Sequence, residues 1–547
     1  MAPTRRPQSD APTVVLHWGI VLTLVLSLAT GLRIAADMPE ADWARAVEDV
    51  LPQGDVIQWH LWAALVLLGF VAAYIGFIWR AGLLPRIALD RAWITDLTTG
   101  HREQRARAVN IAVYWMAFAA VGVAGVTGLI FYLAPGLVPS SPVMAVHQVA
   151  AWSIVVYVVV HLLALLAMGG IGHLLKILRP QPAYGIAAGI GLIAGIATAA
   201  SFYGLEKASQ TELVVRRITN LPTLDGRADD AVWQDLPQVS IPTARGANHP
   251  GGDVTVTVRA AHDGTHFFGL FQWPDTTRSQ KHLPLKKTAQ GWRVVQTEFG
   301  IQDEDSYYED KFGVMLSDGS GIAGDGSVHL GKRPLDGKPG PSGGRGLHYT
   351  TDGGIVDVWH WKSVRTGNNV MQQIDDNYFG PPMKPKGKGR YTGGYTKDPK
   401  TAGGFKMNWK AYSDGIVQPL RLPRDPALLE PFQSVDLEPD ASDRQSLFMS
   451  LEDTVPYDPT LDTYPVGTIM PGVLIDAPFA GDRGDVAAVA HWADGVWTME
   501  VKRRLDTGSE FDVAFQEDHA VYLWVAVFDH AQTRHSQHLH PVRVTMR

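Results

Sequence analysis

Four histidines carry the chemistry that the sequence points to most directly, because each lies within or at the edge of a long apolar run. They are His17 in VLHWG, His60 in QWHLWAAL, His147 in AVHQVAAW and His161 in VVHLLAL. Ionisable side chains at membrane depth are costly and mark functional positions. His147 and His161 are fourteen residues apart, which on one helix is a rise of about 21 Å and a rotation about 40° short of four turns. Both rings therefore point to one side of that helix, one near each membrane surface. His60 opens its run at the level of His147, and His17 lies at the level of His161. Two facing imidazoles in each of two layers form the donor set for two bis-histidine haems. For any one histidine taken alone, the alternative is a hydrogen bond to a neighbouring helix. His101 and His173 lie among basic residues outside the runs and are read as solvated.

The elements that must hold these rings are membrane helices. Five stretches, at about 14–34, 58–79, 109–133, 145–168 and 183–203, reach the roughly 20 apolar residues that a crossing needs. A cleavable signal peptide is the alternative for the first, but His17 and the four spans behind it favour a retained helix. Basic residues gather between spans two and three, at Arg80, Arg86, Arg91, Arg102, Arg105 and Arg107, and again at Lys176 and Arg179. Loops rich in Lys and Arg face the cytoplasm. The loop between spans one and two carries Asp37, Glu40, Asp42, Glu48, Asp49 and Asp55 instead. The expectation is an inward N-terminus and, after five crossings, an outward remainder: the periplasm, for a protein of a bacterial inner membrane.

Composition narrows the chemistry further. The chain has 547 residues, a net charge of −7 and no cysteine, so disulfides, iron–sulfur clusters, thiolate zinc sites and covalent haem attachment are excluded. Any haem must be held by His, Met, Lys or Tyr. No basic stripe favours nucleic acid as a partner. The length calls for at least two domains. The apolar runs stop near residue 204, and short alternating stretches such as VTVTVRAA (254–261), HFFGLFQW (266–273), KFGVMLS (311–317) and VYLWVAVF (521–528) take over. These read as strands of an antiparallel β-sandwich. The expected organisation is a membrane all-α bundle of five transmembrane helices at 1–204, a linker at 205–214 and a mostly β domain at 215–547. Gly- and Pro-rich stretches at about 317–347 and 376–430 read as long loops. The acidic run Asp303–Glu304–Asp305 reads as charged surface, with a calcium loop as the alternative.

Residues 10–180, through VVLHWGIVLTLVLSLATGLRIA, WHLWAAL, TGLIFY and VHQVAAWSIVVYVVVHLL, resemble the bacterial di-haem cytochrome b561 superfamily, which includes the b-type subunits of nickel-iron hydrogenase and formate dehydrogenase. The resemblance implies haem b on His60 with His147 and on His17 with His161. It also implies a quinone pocket near the start of span three, where Asn110 is the polar residue best placed to touch a head group. A plain polar residue at a helix N-terminus is the alternative for Asn110.

Residues 215–547, through LDGRADDAVW, VRAAHDGTHFFGLFQWPD, YYEDKFGVML, VDVWHWKSVRTG and GVWTMEVKRRL, resemble the haem-binding gamma subunit of ethylbenzene dehydrogenase. That resemblance implies one further b haem held by Met and Lys. Met315 is the matching methionine. Strand alternation puts it on one face with Lys311 and Gly313, opposite Phe312, Val314 and Leu316. The family lysine has no counterpart in DHAQTRHSQHLHPVRV, where His535 and His538 stand instead; Lys362, Lys502 and His360 are further choices. No nucleophile, acid/base pair or phosphate loop accompanies these residues. The sequence thus describes an electron-transfer subunit that exchanges electrons with quinol or quinone in the bilayer and with a periplasmic redox protein or other subunits. Two alternatives stay open: a haem enzyme for a small periplasmic substrate, and a sensor or assembly protein with a cofactor-free sandwich.

Overall fold

The computed structural model describes residues 9–36, 43–44, 46–47, 50–295, 307–319, 329–331, 347–383, 393–413, 415–532 and 534–547. It divides into two compact units: one holds the membrane helices, and the other holds the β structure together with residues 43–44, 46–47 and 53–55.

The helical unit contains α1 (Ala11–Ala35), α2 (Val56–Arg80), the short α3 (Arg91–Thr98), α4 (Arg102–Leu133), α5 (Ser140–Leu174) and α6 (Gly185–Ala208). All but α3 are long and apolar enough to cross a membrane, and each coincides with one of the five stretches expected from the sequence, α6 from Gly185 onward. Asp10 caps α1 by accepting from the Thr13 N–H at 2.9 Å, the usual fate of an N-terminal orphan donor. The helical geometry of α5 breaks at Gly169 and Gly170, where Gly170 takes φ 61°, a backbone state that glycine adopts at no steric cost. Helices α2 and α6 meet through small residues. A Cβ on Gly195 would lie 2.7 Å from the Gly69 carbonyl oxygen, and one on Gly191 would lie 2.6 Å from that of Ala73. Close approach of this kind is what holds helices together in lipid, where no hydrophobic force drives them.

The β unit is built on a twelve-stranded sheet. Its strands are β1 (Glu212–Arg217), β2 (Val239–Thr243), β3 (Val254–His262), β4 (His266–Pro274), β5 (Lys311–Ser317), β6 (Val356–Lys362), β7 (Asp375–Phe379), β8 (Tyr395–Lys397), β9 (Ala487–Ala493), β10 (Val496–Arg504), β11 (Val521–Phe528) and β12 (Val542–Met546). The order is β8-β7-β6-β5-β11-β12-β1-β3-β4-β10-β9, with β2 paired to β3. The two halves of this sheet face one another across one core. Trp273 of β4 stacks on Phe312 of β5 at 4.4 Å, and Trp361 of β6 meets Trp497 of β10 at 5.0 Å. Phe312, Val314 and Leu316 point into that core, as their alternation requires. The sandwich is antiparallel except around β1, which runs parallel to β12 on one side and to β3 on the other.

The stretch 376–430 departs from the expected long loop. It carries β8 and the strands Ala402–Met407, Trp409–Ser413, Ile416–Pro419 and Arg421–Pro423, which feed two further small sheets and a two-stranded ladder. These strands are short and rich in Gly and Lys, so their alternation is faint. In the stretch 317–347, His329–Gly331 pairs with Leu347–Tyr349; most of the rest lies outside the described residues, as does Asp303–Glu304–Asp305.

Candidate haem sites

The four membrane histidines meet in the two pairs that their spacing implies. The His17 and His161 ring centres are 6.4 Å apart, and so are those of His60 and His147. A metal–imidazole bond of about 2.0–2.1 Å, with about 1.1 Å from ring nitrogen to ring centre, sets two opposed axial imidazoles at about 6.2–6.4 Å. The residues present therefore fit an iron between each pair.

The other ring nitrogens are held in matching ways. His60 Nδ1 is 3.0 Å from the Ser27 carbonyl and 3.0 Å from Thr30 Oγ1. His147 Nδ1 is 3.0 Å from Thr127 Oγ1. Thr30–Gly31 of α1 and Thr127–Gly128 of α4 thus repeat one device: the threonine holds Nδ1 while the glycine admits the ring. A Cβ on Gly31 would lie 3.1 Å from His60 Cε1, and one on Gly128 would lie 3.6 Å from His147 Cε1. Sequence reasoning missed these four residues, although the Thr-Gly-Leu repeat in the first and third spans was visible.

At the other pair, His161 is buried and its Nδ1 lies 2.7 Å from Asn110 Oδ1, itself buried on α4. An amide oxygen only accepts, so Nδ1 carries the proton and Nε2 keeps its lone pair. Donation of the second ring N–H to such an acceptor is the usual support of a metal-binding histidine. Asn110, read from the sequence as a quinone contact, has its carboxamide oxygen on this histidine. Tyr114 and Tyr157 flank the same ring at 5.4 Å each. His101 is at the start of α4, where its N–H donates to Gln104 Oε1 at 2.8 Å, away from both pairs.

In the β unit, Met315 lies on the sheet face opposite the main core, beside Val356, Val358, Phe379 and Tyr395. Gly313 faces His360 on β6 and Ala526 on β11. A Cβ built on this glycine would meet nothing closer than 3.6 Å, so the strand presents a flat, unobstructed patch next to the methionine. Around it run His348 against Phe379 at 5.0 Å, His360 against Phe528 at 5.5 Å, and Phe528 against His535 at 4.8 Å. His360 Nε2 and His348 Nδ1 are buried without a hydrogen-bond partner among the described residues. Burial pushes His348 down to about 4, and it also lowers His535, so these imidazoles are neutral and available to a metal.

His535 and His538 differ in what their ring nitrogens do. His535 Nδ1 sits 2.7 Å from the Ser536 carbonyl oxygen, so it donates there and leaves Nε2 free. His538 Nδ1 instead accepts from the Val525 N–H at 3.2 Å, which puts the proton on Nε2 and removes its lone pair. Lys362 on the same face is spent on a buried ion pair with Asp375. Lys502 projects from β10 over the Phe268 ring at 5.7 Å, in the other half of the sandwich.

Five membrane-crossing helices with two facing histidine pairs, followed by a β-sandwich, define a multi-pass membrane cytochrome of the b type, an electron-transport protein. Residues 8–179 match the family model for prokaryotic cytochrome b561, and residues 230–539 match that for ethylbenzene dehydrogenase. The second match spans more than half of the chain, which belongs to the ethylbenzene dehydrogenase family. No curated protein matches the chain. Among solved structures, a family 9 carbohydrate-binding module from Caldicellulosiruptor kristjanssonii in complex with cellotriose is 7% identical, covers 62% of this chain and 94% of that one, and gives a TM-score of 0.23. The glucose complex is also 7% identical, over 61% and 95%, with a TM-score of 0.22. Likeness at that level carries no weight for ligand or function.

Proposed function

We propose that this chain moves electrons between the quinone pool and a redox partner outside the cytoplasmic membrane, using two b haems in the helical unit and a third in the β unit. The observation that carries the reading is the pair of 6.4 Å imidazole separations. Haem supplies reversible one-electron exchange when bound. The protein's part is to fix axial nitrogens, orient them through Nδ1 and exclude water. His17 with His161 hold one site and His60 with His147 the other. Along α5 the two levels are separated by about 21 Å, so two haems cover most of a hydrocarbon core of about 30 Å. The likeness to cytochrome b561 supports a quinone site beside the His17 and His161 level, and the Arg-rich loop between α2 and α4 supports a cytoplasmic side for that level.

In the β unit, Met315 and His535 are the residues that would hold the haem. A flat patch at Gly313, unpartnered neutral imidazoles and the free Nε2 of His535 support this; His538, with its protonated Nε2, is the weaker choice. With both residues holding it, the haem would supply electron transfer rather than a place for a substrate to bind.

Haem quantified per purified chain, with a reduced-minus-oxidised spectrum, tests the proposal. About three haems are expected. About two would remove the β unit from the electron path. In a second measurement, Met315→Ala and His535→Ala each convert one haem to a high-spin, carbon-monoxide-binding form, whereas His538→Ala leaves the spectrum intact; the reverse order for the two histidines would overturn the tautomer argument.

A further inference from the structure

Five aspartates converge at one end of the sandwich core, on segments far apart in sequence. Asp357 lies on β6, Asp376 on β7, Asp398 just after β8, Asp485 just before β9, and Asp512 between β10 and β11. One carboxylate oxygen from each of Asp357, Asp376 and Asp512 lies within 4.8 Å of the other two. The cluster faces a buried cation: Arg503 donates through Nη1 to Asp357 Oδ2 at 2.7 Å and has Nη2 3.6 Å from Asp512 Oδ2.

The division of labour within each carboxylate is informative. Asp357 Oδ2 also accepts from the Val513 N–H, Asp376 Oδ1 from the Asn377 N–H, and Asp512 Oδ2 from the Thr507 hydroxyl. Their other oxygens, together with Asp485 Oδ1 and both oxygens of Asp398, are buried with no hydrogen-bond partner among the described residues. Asp357 and Asp376 are 0% exposed and Asp398 is 3% exposed. A buried carboxylate oxygen without a partner costs several kcal/mol of lost hydration, and Asp357, Asp376 and Asp512, whose oxygens converge, each carry one.

We infer that these carboxylates form a divalent cation site, and that its ion is calcium. An oxygen-only donor set suits a hard cation that takes 6–8 oxygens at 2.3–2.6 Å; with such bond lengths, ligand oxygens across the ion stand just under 5 Å apart, a span within which the oxygens of Asp357, Asp376 and Asp512 fall. Neither imidazole nor thiolate joins the set, so zinc and copper are disfavoured. Without an ion, these buried carboxylates repel one another at close range. A dication would relieve that repulsion and tie β6 and β7 to the loop before β11.

The full-length chain, purified in detergent and stripped with a chelator, is titrated with calcium alone and with magnesium alone. One calcium per chain is expected, with a rise of about 3–6 °C in the melting transition of the β unit at a hundredfold excess over the dissociation constant. Asp376→Asn and Asp512→Asn should leave the stripped protein as stable as before or more so, because repulsion falls, while cutting the calcium shift by more than half. Absence of stoichiometric calcium binding up to millimolar concentration would overturn the inference and leave a cluster held by shared protons. So would an undiminished calcium shift in both variants.

Discussion

Replacing Asn110 with leucine separates two roles that this residue could serve. Its Oδ1 accepts from His161 Nδ1 at 2.7 Å in a buried setting, and leucine keeps the approximate size while removing the acceptor. A buried donor left without a partner costs about 1–3 kcal/mol, which corresponds to a 10–100-fold loss in affinity for the group that the ring holds. Loss of the acceptor also makes the imidazole less basic, which disfavours the oxidised iron more than the reduced. At about 59 mV per tenfold difference for a one-electron couple, a share of that loss raises the midpoint potential of one haem by about 30–100 mV. Redox titration of purified Asn110→Leu, followed at the haem absorbance band, should show one of the two membrane potentials shifted upward and the other unmoved. Quinol oxidation kinetics, run alongside, should change in rate at saturating quinol. Unmoved potentials together with a severalfold higher KM for quinol would refute the positioning role and return Asn110 to the quinone pocket.

His17→Ala and His161→Ala should remove one and the same haem, and His60→Ala and His147→Ala the other, as read from spectra of the four variants; a shared loss in His17→Ala and His60→Ala would overturn the pairing. Gly195→Leu should push α6 off α2, because its side chain would begin 2.7 Å from the Gly69 carbonyl oxygen, and should lower the yield of folded protein in detergent. In the β unit, burial holds His282 at about 4, beside Arg365 and 3.0 Å from Glu309. Its unfolded value is about 6.5, so the unfolded chain binds more protons between these limits and stability falls as pH drops from about 6.5 to about 4. The full contribution is on the order of 3 kcal/mol; calorimetry of His282→Gln should show a shallower pH dependence of the melting temperature, and an equal slope would dismiss this histidine as the source. Protease added to intact spheroplasts should cut within 317–347 if the β unit is periplasmic, and cleavage only after lysis would reverse the topology.

The membrane half was readable because a bilayer allows one solution: a long apolar helix, with each buried histidine accounted for by a partner at its own depth. Helix periodicity put His147 and His161 on one side of one helix, and the depths set by the loop charges, with the family resemblance, paired His17 with His161 and His60 with His147. Alternation likewise placed Phe312, Val314 and Leu316 in the core and Met315 on the far face. What escaped depends on contacts between distant segments. The choice between His535 and His538 turns on which backbone group each Nδ1 meets, the Ser536 carbonyl or the Val525 N–H. Asn110 looked like a head-group contact because its helix position was legible and its partner on α5, fifty-one residues away, was not. The aspartates at 357, 376 and 512 stand on separate strands and loops with no shared motif.

The position of β1 sets an order of events for the β unit. This strand follows α6 almost at once, yet its ladder partner on one side is β12, with Leu213 opposite Val544 and Val215 opposite Met546. More than three hundred residues must leave the ribosome before the strand that borders β1 exists. Until then β1 is an open edge, and the half of the sheet that carries β5, β6 and β11 has no seam to the half that carries β3 and β4. Local contacts cannot close such a structure early, and loop-closure entropy slows it. Closure of the sheet is therefore a late step, in which the first strand waits for the last to be synthesised.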